Sequence, residues 1–430
     1  MNNSNTPGAH EDKSDARVNT AKSGLGKLSF SNTFSALKHR NYRLWFTGQL
    51  VSLLGTWMQN TALGFFVFQL THSAVYLGYV GFAIGVPSWI FSAYAGIVAD
   101  RFPRRSILII CQVSMMVLAF LLAGMTFAKV IQPYQIVIFA FLLGIANSFD
   151  APARQSFVLE MVSREDMINA IALNSTMFNT GTAIGPAIAG ITYAVLGPAW
   201  CFGINGLSFI GVIAALMMMK LKPFIKPQKN QSVIDDLKDG FRYLAGQKLI
   251  MLIMLQVAVL CIFGISFGTI FPAWAVKILH GDAAVNGFLQ SARGVGALIG
   301  ALFLASFSRY KYKMKMMSYG TIIFPALLIV LSFINWIPLS LFVLVLIGAS
   351  SLLVLNLANG MLQTLVSDEY RGRIMGLYTL TFFGMMPLGA LIVGTLAHVF
   401  GETAALQING TILLLISLIV HLFVPKHALE

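Results

Sequence analysis

The stretch Gly96-Ile97-Val98-Ala99-Asp100-Arg101-Phe102-Pro103-Arg104-Arg105 decides how this chain is read. It closes one apolar run of about two dozen residues and opens another, which makes it a short turn at a membrane surface. Asp100, Arg101, Arg104 and Arg105 belong at such a surface, because ionised groups are too costly to leave in hydrocarbon.

Composition outside the turn agrees. Hydrophobic residues make up 57% of the chain and charged residues 10%. That balance excludes a soluble globule and predicts an all-α polytopic membrane protein. A net charge of +13 would also suit a nucleic-acid binder. Its distribution argues otherwise: all Lys and Arg except Lys129, Lys277 and Arg293 fall in the tails and in alternate loops that share one side. This is the positive-inside pattern, which predicts a multi-pass inner-membrane protein with both termini cytoplasmic and no nucleic-acid partner. Cys111, Cys201 and Cys261 lie far apart within apolar runs and read as small core residues, with no disulfide frame or metal spacing.

Residues 1–40 form a polar tail in which Phe30, Phe34 and Leu37 recur at helical spacing, an interfacial helix leading into the membrane. No early apolar core follows the charged opening, so no signal peptide is expected. Twelve apolar runs follow, near 44–69, 75–99, 107–128, 134–154, 168–193, 197–219, 249–273, 284–307, 315–335, 338–362, 374–399 and 404–424. Each is long enough to span the bilayer as a helix. The mixed-charge stretch 220–247 reads as a cytoplasmic linker between six-helix bundles at 41–219 and 248–430.

The bundles repeat. Met161-Val162-Ser163 matches Leu365-Val366-Ser367 at an offset of 204, which also carries Gly96 onto Gly300, Gly185 onto Gly389 and Gly190 onto Gly394. Glycines recurring at one shift predict close helix contacts in both halves. The opening turn breaks the repeat, since Leu304 stands where Asp100 maps, so the cytoplasmic gate is expected to depend more on the first half.

The spacing G-x-x-x-D-R-x-x-R-R resembles the loop signature of the major facilitator superfamily between its second and third helices. In that family the Asp pairs to neighbouring helices and the arginines hold the cytoplasmic gate. Gly181-x-x-x-Gly185-Pro186-x-x-x-Gly190 is a small-residue stripe with a proline, suited to close packing and a local bend. It is similar to the fifth-helix motif that goes with exporters in the superfamily. Arg40-Asn41-Tyr42-Arg43-Leu44-Trp45-Phe46, Gly55-Thr56-Trp57-Met58-Gln59, Phe149-Asp150-Ala151-Pro152-Ala153-Arg154-Gln155 and Tyr370-Arg371-Gly372-Arg373 look like the enterobactin-exporter-like branch. The resemblance implies a secondary transporter that exports a small molecule by alternating access; a proton as the coupling ion and a monomeric working unit are expected.

Polar side chains inside the apolar runs are the site candidates. By resemblance, the first, fourth, seventh and tenth helices line a central cavity, which selects Gln59, Asn60, Asn147, Gln256 and Asn356; Trp57 and Gln290 extend the set. Arg293 is the sharpest candidate. It lies about ten residues into the eighth run, no acid sits at matching depth, and Gly294-Val295-Gly296 leaves room beside it. A guanidinium stays charged at that depth and is expected to meet an anionic amphiphile such as a siderophore. Among acids, only Asp100 and Asp150 touch a membrane run. Asp150 is either a proton carrier or, with Arg154, a structural latch. Nothing in the chain has the pattern of a nucleotide loop, metal cluster or nucleophile triad, so neither an enzyme nor a resident cofactor is expected. Multidrug efflux, lysophospholipid transport and a non-transporting scaffold or sensor are the alternatives.

Overall fold

The computed structural model describes residues 34–221, 233–306 and 313–423, which contain helices and turns and no strand. Six long helices, α1 (Arg40–Thr71), α2 (Ala74–Arg101), α3 (Arg104–Phe127), α4 (Pro133–Met161), α5 (Met167–Leu196) and α6 (Pro198–Met218), form the first half. A short helix α7 (Val233–Gly246) precedes the second half, which comprises α8 (Lys248–Ile278), α9 (Ala283–Ser306), α10 (Lys313–Leu331), α11 (Ile337–Leu365), α12 (Asp368–Phe400) and α13 (Glu402–Phe423). The linker expected at 220–247 thus contains a helix, and its residues 222–232 lie outside the described residues.

Eleven of the helices are long and apolar enough to cross a membrane. The expected twelfth, α5, has 30 residues but falls outside that set. Asn169, Asn174, Asn179 and its threonines and glycines dilute its apolarity, and it packs on both α1 and α9. A helix covered by its neighbours needs less apolar surface than one facing lipid.

Within each half the helices pack around apolar clusters, and the halves meet along two seams, α2 on α12 and α5 on α9. The face carrying the α2–α3 turn is called the basic face below, and the opposite one the far face. Backbones close on each other along the seams. Gly78 approaches the Ala390 carbonyl and Gly394, and Gly287 approaches the Pro186 carbonyl and Gly190. These matched contacts correct the repeat. The shift is 204 from Gly190 to Gly394 but 209 from Gly78 to Gly287. Gly96 and Gly300 are not equivalents: space around Gly96 is open, whereas Gly300 abuts Ala349. The shift of 209 sets Asp100 opposite Arg309, a residue outside the described ones.

A single 3-10 turn, Ser35–Lys38, brackets α1 to the start of α5. The Ala36 amide donates to Asn169 Oδ1 at 3.0 Å, Tyr42 donates to the Ala170 carbonyl at 2.8 Å, and His39 Nε2 meets Asp166 Oδ2 at 2.8 Å. Hydrogen bonds from Ser35 and His39 hold the Asp166 carboxyl below the usual carboxylate range. A depressed carboxyl contributes its stability above its unfolded value of about pH 4 and loses it as pH falls through the lowered one. The protection factor of the Ala36 amide, corrected for the slower intrinsic exchange in acid, is therefore expected to fall in acid, and at neutral pH in Asp166→Asn. Equal protection in that variant would mean that Asn169 and Tyr42 hold the bracket alone.

Candidate functional site

The opening turn works within the first half. Arg104 pairs with Glu160 at the end of α4, and Arg105 donates to the Met217 carbonyl at 2.8 Å and the Met219 carbonyl at 3.4 Å. Arg105 thus caps α6, whose last carbonyls have no helical partner. Arg101 is exposed, and the side chain of Asp100 lies outside the described residues. Replacing Arg105 by Gln should cost about 1–2 kcal/mol of stability, seen as a lower melting midpoint in detergent.

Deeper in α4, Asp150 is buried, accepts from Gln112 Nε2 at 2.9 Å and lies 3.4 Å from Arg154 Nε. The glycine stripe of α5 faces two ways. Gly181 and Gly185 seat Trp57, whose ring meets Phe178 edge-on at 5.8 Å, while Gly190 lies against Ala283 and Ala284 across the seam. Pro186 cannot donate to the Thr182 carbonyl, and Gly294 approaches that carbonyl so closely that a Cβ would stand 2.5 Å from it.

The cross-half contacts of glycines all lie toward the far face, reaching only to Gly384 on Trp89 near mid-depth. Gly64 meets Pro272, and Thr61 Oγ1 donates to Gln290 Oε1 at 3.4 Å across the same seal. Among the described residues, no glycine on the basic side crosses between halves.

Arg293 stands one helical turn below Gln290, about 15 Å from the start of α9 at ~1.5 Å per residue. Opposite it, α8 leaves regular geometry, with π turns at Leu260–Gly264 and Trp274–Ile278 around a 3-10 segment at Ile265–Ile270. Such breaks inside a membrane helix mark functional segments. The guanidinium carbon lies 5.9 Å from the Phe267 ring and 5.7 Å from Phe271, and Nη1 fills the place a side chain at Gly268 would take. Arg293 is half-buried and has neither a carboxylate nor a hydrogen-bond partner among the described residues.

The other candidates divide. Gln59 is turned away to α6, where it accepts from Asn205 Nδ2 at 2.7 Å, and Gln256 donates to Ser417 on α13 at 2.7 Å. Both are buried and bonded to a helix of their own half, and the Gln256 Oε1 has no hydrogen-bond partner among the described residues. Gln290 shares the Arg293 face of α9 and donates to Asn286 at 3.4 Å. Asn60 and Asn356 are exposed and Asn147 is half-buried, all without a hydrogen bond among the described residues. One pair escaped the sequence reading: Lys277 binds Glu402, a buried acid at the first residue of α13, at 2.7 Å. Glu402 lies just outside the apolar run, so acids counted inside runs miss it.

With this geometry in view, the match to known proteins is direct. Residues 31–429 match the family described as transmembrane secretion effector. The chain belongs to that family. Its relatives include the staphyloferrin A transporter of Staphylococcus aureus (strain NCTC 8325 / PS 47), 26% identical over 90% of this chain and 97% of the relative. Another is the enterobactin exporter EntS of Shigella boydii serotype 18 (strain CDC 3083-94 / BS512), 27% identical over 92% and 94%. The nucleoside transporter NupG shares the fold with a TM-score of 0.69 at 16% identity, covering 89% of this chain and 98% of its own. A bacterial homologue of the lysosomal transporter Spinster, solved inward-facing and unoccupied, gives 0.67 at 14%, covering 90% and 96%. This member of the secretion-effector family is thus a major facilitator transporter rather than an enzyme, in agreement with the resemblance carried by its motifs.

Proposed function

We propose that this protein exports a small anionic amphiphile, a siderophore or similar metabolite, from the cytoplasm. The observation that carries the proposal is the guanidinium of Arg293, half-buried at mid-depth where the cross-half contacts end, with no carboxylate or hydrogen-bond partner among the described residues. Holding a charge at that depth costs several kcal/mol by insertion-based estimates, and an anionic cargo would offset that cost with charge-assisted hydrogen bonds. Phe267 and Phe271, both buried, carry the guanidinium on their ring faces and so fix the place at which an anion would meet it. The siderophore relatives support the cargo class. The basic face is read as cytoplasmic from its arginines and lysines, and the cross-half contacts lie toward the far face, so the conformation is read as inward-facing with Arg293 at the inner edge of that closure. Alternating access then opens the far face while the basic face closes. A single chain suffices for this cycle, which makes the working unit a monomer in the inner membrane.

The test is deletion of the gene followed by comparison of small anions in spent medium, under iron-starved and iron-replete growth. Loss of one anionic product from the iron-starved medium is the expected result; an unchanged profile would sink the reading.

Coupling is assigned to protons entering from outside. Asp150 and Glu402 are the buried carboxylates among the described residues, and only Asp150 lies well inside a span. Asp150→Asn is expected to abolish pH-gradient-driven export from vesicles while leaving cargo exchange without a gradient intact. Gradient-driven export at the parent rate would return Asp150 to a latch with Arg154.

A further inference from the structure

We propose that Glu402 is a positioning residue that holds Lys277 over Phe68 and so latches the far face shut. The purpose of the latch rests on the alternating-access reading above; its geometry does not. Gly401, in left-handed backbone at φ +89°, turns the chain from α12 into α13 and places Glu402 at the inner side of the bend. The Glu402 side chain is 6% exposed, and that of Lys277 is 42% exposed. A carboxylate so far from water needs a fixed cation, and Lys277 supplies it at 2.7 Å.

Both residues of the pair belong to the second half, but the lysine does not stop there. Its Nζ lies 5.6 Å from the ring centroid of Phe68 on α1, in the first half, and Phe68 is itself buried edge-on to His72. Ammonium over an aromatic face is attractive. Glu402 removes the freedom Lys277 would otherwise have to swing into solvent, so the attraction acts across the seam whenever the far face is closed. Outward opening must break the Lys277–Phe68 contact and can leave Lys277–Glu402 intact. The latch sits on the π turn of α8, beyond the Phe267–Phe271 segment that walls Arg293 and beyond Pro272 in the seal.

A cysteine at Thr61, buried in the seal, reports the opening, and the native Cys111, Cys201 and Cys261 are buried. Labelling of Thr61→Cys in intact cells by a membrane-impermeant maleimide should be slow. Glu402→Gln, Lys277→Met and Phe68→Leu should each raise the rate about two- to fivefold, the range of a partly exposed cation–π contact. Glu402→Gln combined with Phe68→Leu should do no more than either alone, because both remove one contact. Lys277→Arg should restore the slow rate. Unchanged labelling in the single variants, multiplying effects in the combination, or an arginine no better than methionine would overturn the latch. If Glu402→Gln does not fold, Lys277→Met and Phe68→Leu carry the test. No cargo is needed, so a wrong cargo assignment shows only in the spent-medium comparison and leaves this result standing.

Discussion

Arg293→Gln is expected to lower export of the anionic cargo by about tenfold to a hundredfold while protein in the membrane stays at the parent level. A hydrogen bond to a charged group contributes about 1.5–3 kcal/mol, and each ~1.4 kcal/mol is a factor of ten. The loss should fall on transport rather than folding, because Arg293 makes no hydrogen bond or ion pair among the described residues whose removal would orphan a partner. Arg293→Lys keeps the charge but loses the planar fork that matches a carboxylate, so its export should lie between the parent and the Gln variant. Quantifying the cargo in spent medium against membrane protein level checks the order. Parent-level export by Arg293→Gln would show that carbonyls and water satisfy the guanidinium and that the cargo's charge is not read there.

Gly85→Val should abolish export by a different route, through the population of conformations. A Cβ at Gly85 would stand 2.0 Å from Pro387 Cγ across the α2–α12 seam, and the proline ring cannot swing aside. Overpacking of this kind costs about 1–3 kcal/mol, which shifts a two-state equilibrium about five- to 150-fold. The clash exists only while the far face is closed, so the variant should remain folded and populate the outward-open state. Gly348→Val provides the contrast. Its Cβ would stand 2.0 Å from the Arg293 carbonyl within the second half, in contact whatever the two halves do. That variant should lose folded protein outright. Size-exclusion profiles in detergent with maleimide labelling at Thr61→Cys separate the outcomes; normal export by Gly85→Val would mean that the seam yields.

Much of this protein was legible in its residues. The run lengths and the one-sided arginines and lysines determine a helical bundle in a membrane, because bilayer thickness and charge cost act on any sequence irrespective of its partners. Glycine stripes at Gly181, Gly185 and Gly190 foretold close contacts, since only small residues let backbones touch. The solitary Arg293, without an acid at its depth, could also be seen in the sequence.

Where side chains point was decided by the tertiary structure. Gln59 and Gln256 had the composition of cavity residues, yet both face outer helices of their own halves. Each residue turns a helix by about 100°, so facing depends on the rotation at which neighbours lock it. In α8 the π and 3-10 turns break that count altogether. The repeat register failed for the same reason, since matched letters at Gly96 and Gly300 have unlike surroundings. Lys277 and Glu402, 125 residues apart, carry no common pattern. Only the turn at Gly401 brings that acid out of water and under the lysine, because pairing of charges distant in sequence is fixed by how helices pack and not by their spacing along the chain.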